Sequence, residues 1–177
     1  MSLTTQRTLL RPWTDGDLGP FADMNADPDV MEFFPSPLSR EESDAMVARI
    51  TAEIDRTGFG LWALEIDGRF AGYVGTTEVT FDGELRGRTE IGWRLARWAW
   101  GHGYATEAAR AVLADVFGRG SLDSVVSFTT ESNARSRAVM ERLGMARRSD
   151  LDFDHPRTPG WWGQHHVVYE VTRLNSD

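Results

Sequence analysis

The order of the hydrophobic patterns constrains the fold of this 177-residue chain more than any other feature. Residues 60–66 and 70–79 are predicted strands separated by Asp67-Gly68, the dipeptide typical of a two-residue antiparallel hairpin. A third strand is predicted at 89–95, and beyond it helices and strands alternate. An antiparallel meander followed by alternating elements predicts a mixed sheet with helices on its faces.

Capping residues mark where the helices begin and end. Ser39 and Glu42 form a capping-box pattern ahead of a predicted helix at 40–56. A later helix begins after Ser132 or Asn133 and ends at Gly144. The other predicted elements are strand 5–10, a short helix from Thr14 or Asp15, helix 105–117, and strands 124–129, 145–152 and 165–172. No linker or repeat divides the chain, so we expect a single domain over residues 1–177.

Composition excludes several function classes. The chain has no cysteine, which excludes disulfides, thiolate zinc sites and a covalent cysteine intermediate. No apolar run approaches the ~18 residues of a membrane helix, and no basic-then-apolar signal pattern opens the sequence, so we expect a cytoplasmic protein without membrane contact. The net charge of −8 argues against nucleic-acid binding.

Charge is also divided unevenly between the two halves. Residues 1–88 carry 8 arginines and 16 acidic residues, whereas residues 89–177 carry 11 of each. The acidic half favours a cationic ligand, and the neutral half tolerates an anion held by backbone dipoles. A solvated acidic surface without a binding role explains the same numbers.

A glycine-rich turn, WGHGYATE, lies between the strand at 89–95 and the helix at 105–117. Its two glycines allow backbone N–H groups to approach a phosphate, and the helix N-terminus adds partial positive charge. A P-loop is excluded because the chain has no lysine. A dinucleotide-binding turn would have a third glycine where Thr106 stands. A plain tight turn without a ligand remains the third interpretation.

Two blocks of the sequence resemble the GNAT acetyltransferases, in their RimJ/RimL-like branch. The family's acetyl-CoA motif, Gln/Arg-x-x-Gly-x-Gly/Ala, is matched at Gly103 and Ala105, with Trp100 at its first position. The block ESNARSRAVMERLGM, residues 131–145, is similar to the family's later helix. The resemblance implies an α/β fold of α+β type: a mixed, mostly antiparallel twisted sheet of about six to seven strands with about four helices. It also implies a possible homodimer.

The resemblance implies acetyl-CoA as co-substrate and an amine as acceptor. The strand at 89–95 would offer its backbone to the pantetheine arm, and the amides at 101–106 would hold the pyrophosphate. Asn133 would contact the pantetheine or simply cap its helix. The implied cofactor-binding residues are Trp93, Arg94, Leu95, Arg97, Gly101, His102, Gly103, Tyr104, Ala105, Thr106, Asn133 and Ser136.

Two residues are the candidates for catalysis. Glu90 stands at a position where the family often has an acidic residue facing the acceptor, and it is our candidate base. The alternatives are that water serves as the base, or that Glu90 is an ordinary exposed carboxylate without a role. Many members use a tyrosine to protonate the departing thiolate, but Met140 stands at that position. Ser136 is the donor that the branch implies. Without cysteine, we expect direct transfer in a ternary complex.

The acceptor is predicted to be a cationic amine: a protein N-terminus, an amino acid or another small molecule. The early helices and their loop carry Phe33 and Phe34, and Trp62 is a third apolar candidate for substrate binding. The acidic residues among these elements are Asp15, Asp17, Asp23, Asp27, Asp29 and Glu32.

Other interpretations of the sequence stay open. A cluster of acidic residues and histidines near the C-terminus is typical of a polar loop, and no metal is expected there. Its members are Asp152, Asp154, His155, His165 and His166. Trp161-Trp162 favours a pocket or subunit contact. A non-catalytic acyl-CoA-binding module and a nucleotide-dependent oxidoreductase are the alternative functions.

Overall fold

The computed structural model describes residues 2–120 and 122–173. Its strands are β1 (Leu3–Thr4), β2 (Leu9–Arg11), β3 (Leu61–Ile66), β4 (Arg69–Glu78), β5 (Thr89–Leu95), β6 (Ser124–Thr130), β7 (Ala146–Arg147), β8 (Phe153–Asp154) and β9 (His165–Thr172). Its α-helices are α1 (Leu18–Ala26), α2 (Arg40–Thr57), α3 (Tyr104–Gly118) and α4 (Ala134–Arg142).

One mixed sheet holds all of these strands. The strand order is β1-β2-β3-β4-β5-β6-β9-β7, and β8 pairs with β9. Every pairing is antiparallel except that of β5 with β6, which the crossover helix α3 connects. The predicted mixed, mostly antiparallel sheet with four helices is confirmed; six of the strands have three or more residues.

Two predicted strands were wrong in part. Residues 5–8 form a turn between β1 and β2, because the Thr5 amide donates to the Thr8 carbonyl at 2.9 Å and the Thr5 hydroxyl accepts from the Thr8 amide at 3.0 Å. The strand expected at 145–152 is reduced to β7, since a 3-10 turn begins at Ser149.

Helices cover both faces of the sheet. On one face α3 and α4 pack on the apolar side of β3, β4 and β5, where Ile91 and Leu95 join Val112 and Met140 in the main core cluster. On the other face α1 and α2 pack through Phe21 and neighbouring residues on the opposite side of the same strands. Successive residues of β5 therefore face different helix layers. Among the described residues, no helix has both the length and the apolarity to cross a bilayer.

The close approach of β4 to β5 depends on Gly72. Gly72 lies opposite Leu95 in the β4–β5 ladder and has a φ of 139°. A Cβ atom at this position would overlap the Arg94 carbonyl oxygen and lie 2.8 Å from Leu95 Cα. Because backbone atoms cannot rotate away as a side chain can, only glycine keeps this pairing unstrained.

We expect Gly72→Ala to lower the free energy of unfolding by about 1–3 kcal/mol more than Gly83→Ala does. Gly83 is the matched control, because it has a φ of 140° but no atom within 4 Å of a built Cβ. The two variants share the same positive φ, so the difference between their losses reports the overlap with β5. Urea unfolding measures both, and equal losses would contradict the role assigned to Gly72.

Candidate active site

A deep cleft opens where β5 and β6 separate. The two strands pair at one register point, Glu90 with Val126, and β6 continues to Thr130 along β9 instead. The edge of β5 beyond Glu90 is therefore free of β6. A cavity of about 1670 Å³ occupies the gap, walled by both strands, the glycine-rich turn, the first turns of α3, the length of α4 and the loop between α1 and α2.

The glycine-rich turn lines this cleft with residues whose amides are unpaired. Gly101 and Gly103 both adopt the left-handed conformation, with φ of 81° and 80°. Gly103 is the N-cap of α3 and supplies no side-chain cap. Within the described part of the chain, no amide from 101 to 106 donates to a protein acceptor. Six free N–H groups, four of which begin α3 at 103–106, are suited to an anion such as a diphosphate.

Arg7 fastens the N-terminal turn to the glycine-rich turn. The Glu107 carboxylate accepts from the Thr5 hydroxyl at 2.6 Å and from Arg7 Nε at 2.7 Å. Arg7 also donates to the His102 carbonyl at 3.0 Å and stacks on the Tyr104 ring. Burial alone would raise the pKa of Glu107, but the hydrogen bonds from Thr5 and Arg7, together with the charge of Arg7, lower it below its usual value. Arg7 thus neutralises the Glu107 carboxylate in the first turn of α3, so the glycine-rich turn stays electropositive.

Sequence reasoning missed four arginines that line the cleft. These are Arg7, Arg110, Arg135 and Arg142. Arg110 stands four residues after Thr106, so the helical period places it on the face of α3 that Thr106 begins. That spacing was the available signal for Arg110. The other three arginines reach the cleft only through the tertiary fold.

Asn133 is fully engaged as a cap. Its Oδ1 accepts from the Ser136 amide at 3.1 Å, and its Nδ2 donates to the Thr129 hydroxyl at 2.9 Å. Asn133 thus starts α4 and ties it to β6. Ser136 lies in the first turn of α4 and lines the cleft. Its hydroxyl has no hydrogen-bond partner in residues 2–120 and 122–173, so it is available to a ligand.

Glu90 lies where β5 and β6 meet and lines the cleft. Its carboxyl forms no hydrogen bond or ion pair with the described residues. Burial raises the pKa of Glu90 to about 8, because the charged form loses water without gaining a cation. A carboxyl with a pKa near neutrality can both accept and release a proton at physiological pH.

The structure gathers most of the predicted residues into this one cleft. Those that line it are Phe33, Phe34, Glu90, Trp93, Arg94, Leu95, Gly101, His102, Gly103, Tyr104, Ala105, Thr106, Asn133 and Ser136.

Two of the predicted residues, Trp62 and Arg97, do not line the cleft. Trp62 is 6% exposed and belongs to the main core, because strand alternation turns it toward α3 with its register partner Val74. Arg97 lies outside the cleft wall, where it pairs with Asp29 at 3.6 Å and stacks on Trp100.

The acidic residues of the early helices do not form the acceptor pocket. Asp17 is paired with Arg11 at 2.7 Å, and Glu32 with Arg135 at 2.6 Å. None of the six residues lines the cleft, whose acidic lining within the described chain is Glu90 and Glu107. The excess charge of the first half therefore lies on the surface and in ion pairs.

The loop between α1 and α2 crosses to α4 over the cleft. Arg135 joins the two sides: besides its ion pair with Glu32, its guanidinium lies over the rings of Phe33 and Trp100, 5.4 and 4.5 Å from their centroids. Phe33 in turn contacts Trp162. Trp161 lines the cleft, whereas Trp162 is 65% exposed.

The histidines at the far wall of the cleft are part of an aromatic cluster. His155 and His166 lie 5.1 Å apart by ring centroids and both pack on Phe128. Burial lowers the pKa of His155 to about 4 and that of His166 below its usual value, so both rings are neutral at pH 7. His165 contacts Asp154 instead. No metal-binding group of three or more such residues occurs in 2–120 and 122–173.

Comparison with known proteins gives the same family. Residues 7–146 match the family model for the GNAT acetyltransferase domain. FsC-acetyl coenzyme A-N(2)-transacetylase of Aspergillus fumigatus is 30% identical over 158 residues, which are 85% of this chain and 67% of that protein.

Solved structures share the fold. A GNAT-family acetyltransferase of Bacillus anthracis superposes with a TM-score of 0.81 at 23% identity, over 98% of this chain and 99% of that one. Mycobacterium smegmatis RimJ, in complex with CoA-disulfide, has a TM-score of 0.78 at 21% identity, over 97% and 87%. With a family model matched over most of its length, the chain belongs to the GNAT family of acetyl-CoA-dependent N-acetyltransferases.

Proposed function

We propose that this protein transfers an acetyl group from acetyl-CoA directly to a primary amine within a ternary complex. The acceptor classes are a protein N-terminus, an amino acid or another cationic small molecule. The observation that carries the proposal is the single cleft in which free main-chain amides, the free edge of β5, Glu90 and Ser136 meet. The chain has no cysteine to hold an acetyl group between two half-reactions.

Coenzyme A fits the donor side of the cleft. The amides of 101–106 would hold its diphosphate, and Arg7, Arg110 and Arg142 would neutralise the remaining phosphate charge. The backbone of 93–95 would pair with the amides of the pantetheine arm, as an added strand pairs with a sheet edge. When bound, acetyl-CoA supplies the activated acetyl group.

Glu90 would take the proton from the acceptor amine. An amine must lose its proton to become a nucleophile, and most amines are protonated near pH 7. The Glu90 carboxylate is close enough in pKa to accept that proton without a large cost. Ser136 would donate a hydrogen bond to the sulfur as the thiolate leaves, which orients and stabilises it.

The pH dependence of Glu90→Gln tests the assignment of the base. We expect wild-type kcat/KM to rise with pH to a plateau with an apparent pKa near 8, because the deprotonated carboxyl is the active form. Glu90→Gln should lose most of the activity together with this inflection. Glu78→Gln is the control, since Glu78 lies on β4 outside the cleft. An unchanged pH profile in Glu90→Gln would assign the proton to water or another group.

The same variant has a readout that needs no substrate. The raised pKa means that the folded state holds the Glu90 proton more tightly than the unfolded state does. The free energy of unfolding should therefore fall as pH rises from about 4.5 to about 8. Glu90→Gln should flatten this part of the curve relative to Glu78→Gln; an identical slope in both variants would contradict the pKa.

Ser136→Ala tests the hydrogen bond to the leaving thiolate. We expect kcat to fall about tenfold, the worth of one hydrogen bond in the transition state, with unchanged affinity for acetyl-CoA. The cap of α4 survives, because Asn133 binds the backbone amide of residue 136. Ser132→Ala is the control, outside the cleft wall. Equal kcat for both variants, measured by release of free thiol, would remove Ser136 from the mechanism.

A further inference from the structure

A buried arginine without an anionic partner lies on the acceptor side of the cleft. Arg94 is 8% exposed and lines the cavity. Its Nη1 donates to Oδ1 of Asn25 at 2.6 Å, and Asn25 is a neutral, fully buried side chain of α1. Arg94 has no carboxylate within salt-bridge distance in residues 2–120 and 122–173, unlike the arginines at positions 7, 11 and 135. Burying a cation in this way is costly.

This guanidinium has one free donor that a ligand can reach. Nη2 forms no hydrogen bond with the described chain and is not among the fully buried unpartnered atoms, whereas Nε lacks an acceptor and is fully buried. Nη2 can therefore donate a charge-assisted hydrogen bond to a carboxylate. Phe34 lies over the guanidinium, with its ring centroid 4.0 Å from Cζ, and the centroid of Tyr73 is 5.5 Å away.

The same face of β5 carries the candidate base. Residues 90, 92 and 94 alternate onto the side of the strand that faces α1 and α2. A Cβ built on Gly92 would have only Glu90 Oε1 within 4 Å, at 3.9 Å, so the space over Gly92 is open. An acceptor lying over Gly92 has the Glu90 carboxyl on one side and Arg94 on the other.

We infer that the acceptor is a small amine that also carries a carboxylate, as an amino acid does, and that Arg94 binds this carboxylate. The inference rests on the proposed amine acetylation and narrows its acceptor class. The amine would lie toward Glu90 and the carboxylate on Nη2 of Arg94. Arg94 is then a specificity residue: it selects among amines and takes no part in proton transfer.

A panel of matched acceptors tests the inference. Free amino acids, their amides and the corresponding decarboxylated amines are each assayed with acetyl-CoA by thiol release. The best amino acid should exceed its own amide by at least about 30-fold in kcat/KM, because the amide leaves the buried cation unpaired. Amides or simple amines that are turned over as well as the free acid would overturn the inference while leaving amine acetylation in place.

Two variants separate carboxylate recognition from a structural role of Arg94. Arg94→Gln should bring the acid-to-amide ratio close to one, mainly through KM. Asn25→Asp places a carboxylate beside Nη1 and should lower the ratio too, although it strengthens any structural contact of Arg94. Arg69→Gln is the control, because Arg69 stacks on Trp98 outside the cleft. The assignment is overturned if Asn25→Asp keeps the wild-type acid-to-amide ratio and if the ratio falls in Arg94→Gln only because that variant does not fold.

Calorimetry keeps this test independent of turnover. The panel's amino acids are titrated into the enzyme saturated with CoA, for wild type and for Arg94→Gln. If an amino acid binds to wild type and not to Arg94→Gln, the carboxylate site is supported, even when no acceptor is acetylated. In that case only the proposed acetylation is contradicted. No binding of any amino acid to wild type, or equal binding to Arg94→Gln, overturns the carboxylate site.

Discussion

The separation of β5 from β6 after a single paired residue is the constraint on which the rest of the site depends. Among the described residues, the backbone of β5 has no strand partner beyond Glu90 on its β6 side. Unpaired backbone groups in a fold are costly unless something binds them. The α3 crossover that makes these two strands parallel also delivers the glycine-rich turn to the mouth of the gap. One topological feature thus creates both the slot for an extended chain and the anion site at its end.

The charges of the site follow from this geometry. The donor side is electropositive through main-chain amides and arginines, with Glu107 balanced by Arg7. The acceptor side holds two ionisable groups without a charged partner among the described residues, Glu90 and Arg94, on one face of β5. Neither group stabilises the fold through an ion pair, and burying each of them without an opposite charge costs free energy of folding. Groups retained at such a cost are typical of function, and their opposite signs are suited to a substrate that carries both charges.

Much of this could be predicted from the sequence, because local signals specify local structure. The Ser39–Glu42 capping box, the Asp67-Gly68 hairpin and strands 89–95 and 165–172 were confirmed, as was the GNAT fold. The core position of Trp62 could not be predicted, because its face depends on which helix layer covers β3. The partners of Arg7 and Arg94 lie 100 and 69 residues away, a pairing that no local pattern encodes. The charge count did not predict where the six early acidic residues lie, since they are found in ion pairs and on the surface.

The most direct test of the account is a calorimetric titration of the protein with CoA and, separately, with pantetheine, which lacks the nucleotide and its diphosphate. If the amides of 101–106 hold the diphosphate, CoA binds with one molecule per chain and pantetheine binds far more weakly. No heat with CoA, or equal affinity for the two compounds, would contradict the assignment of the cleft.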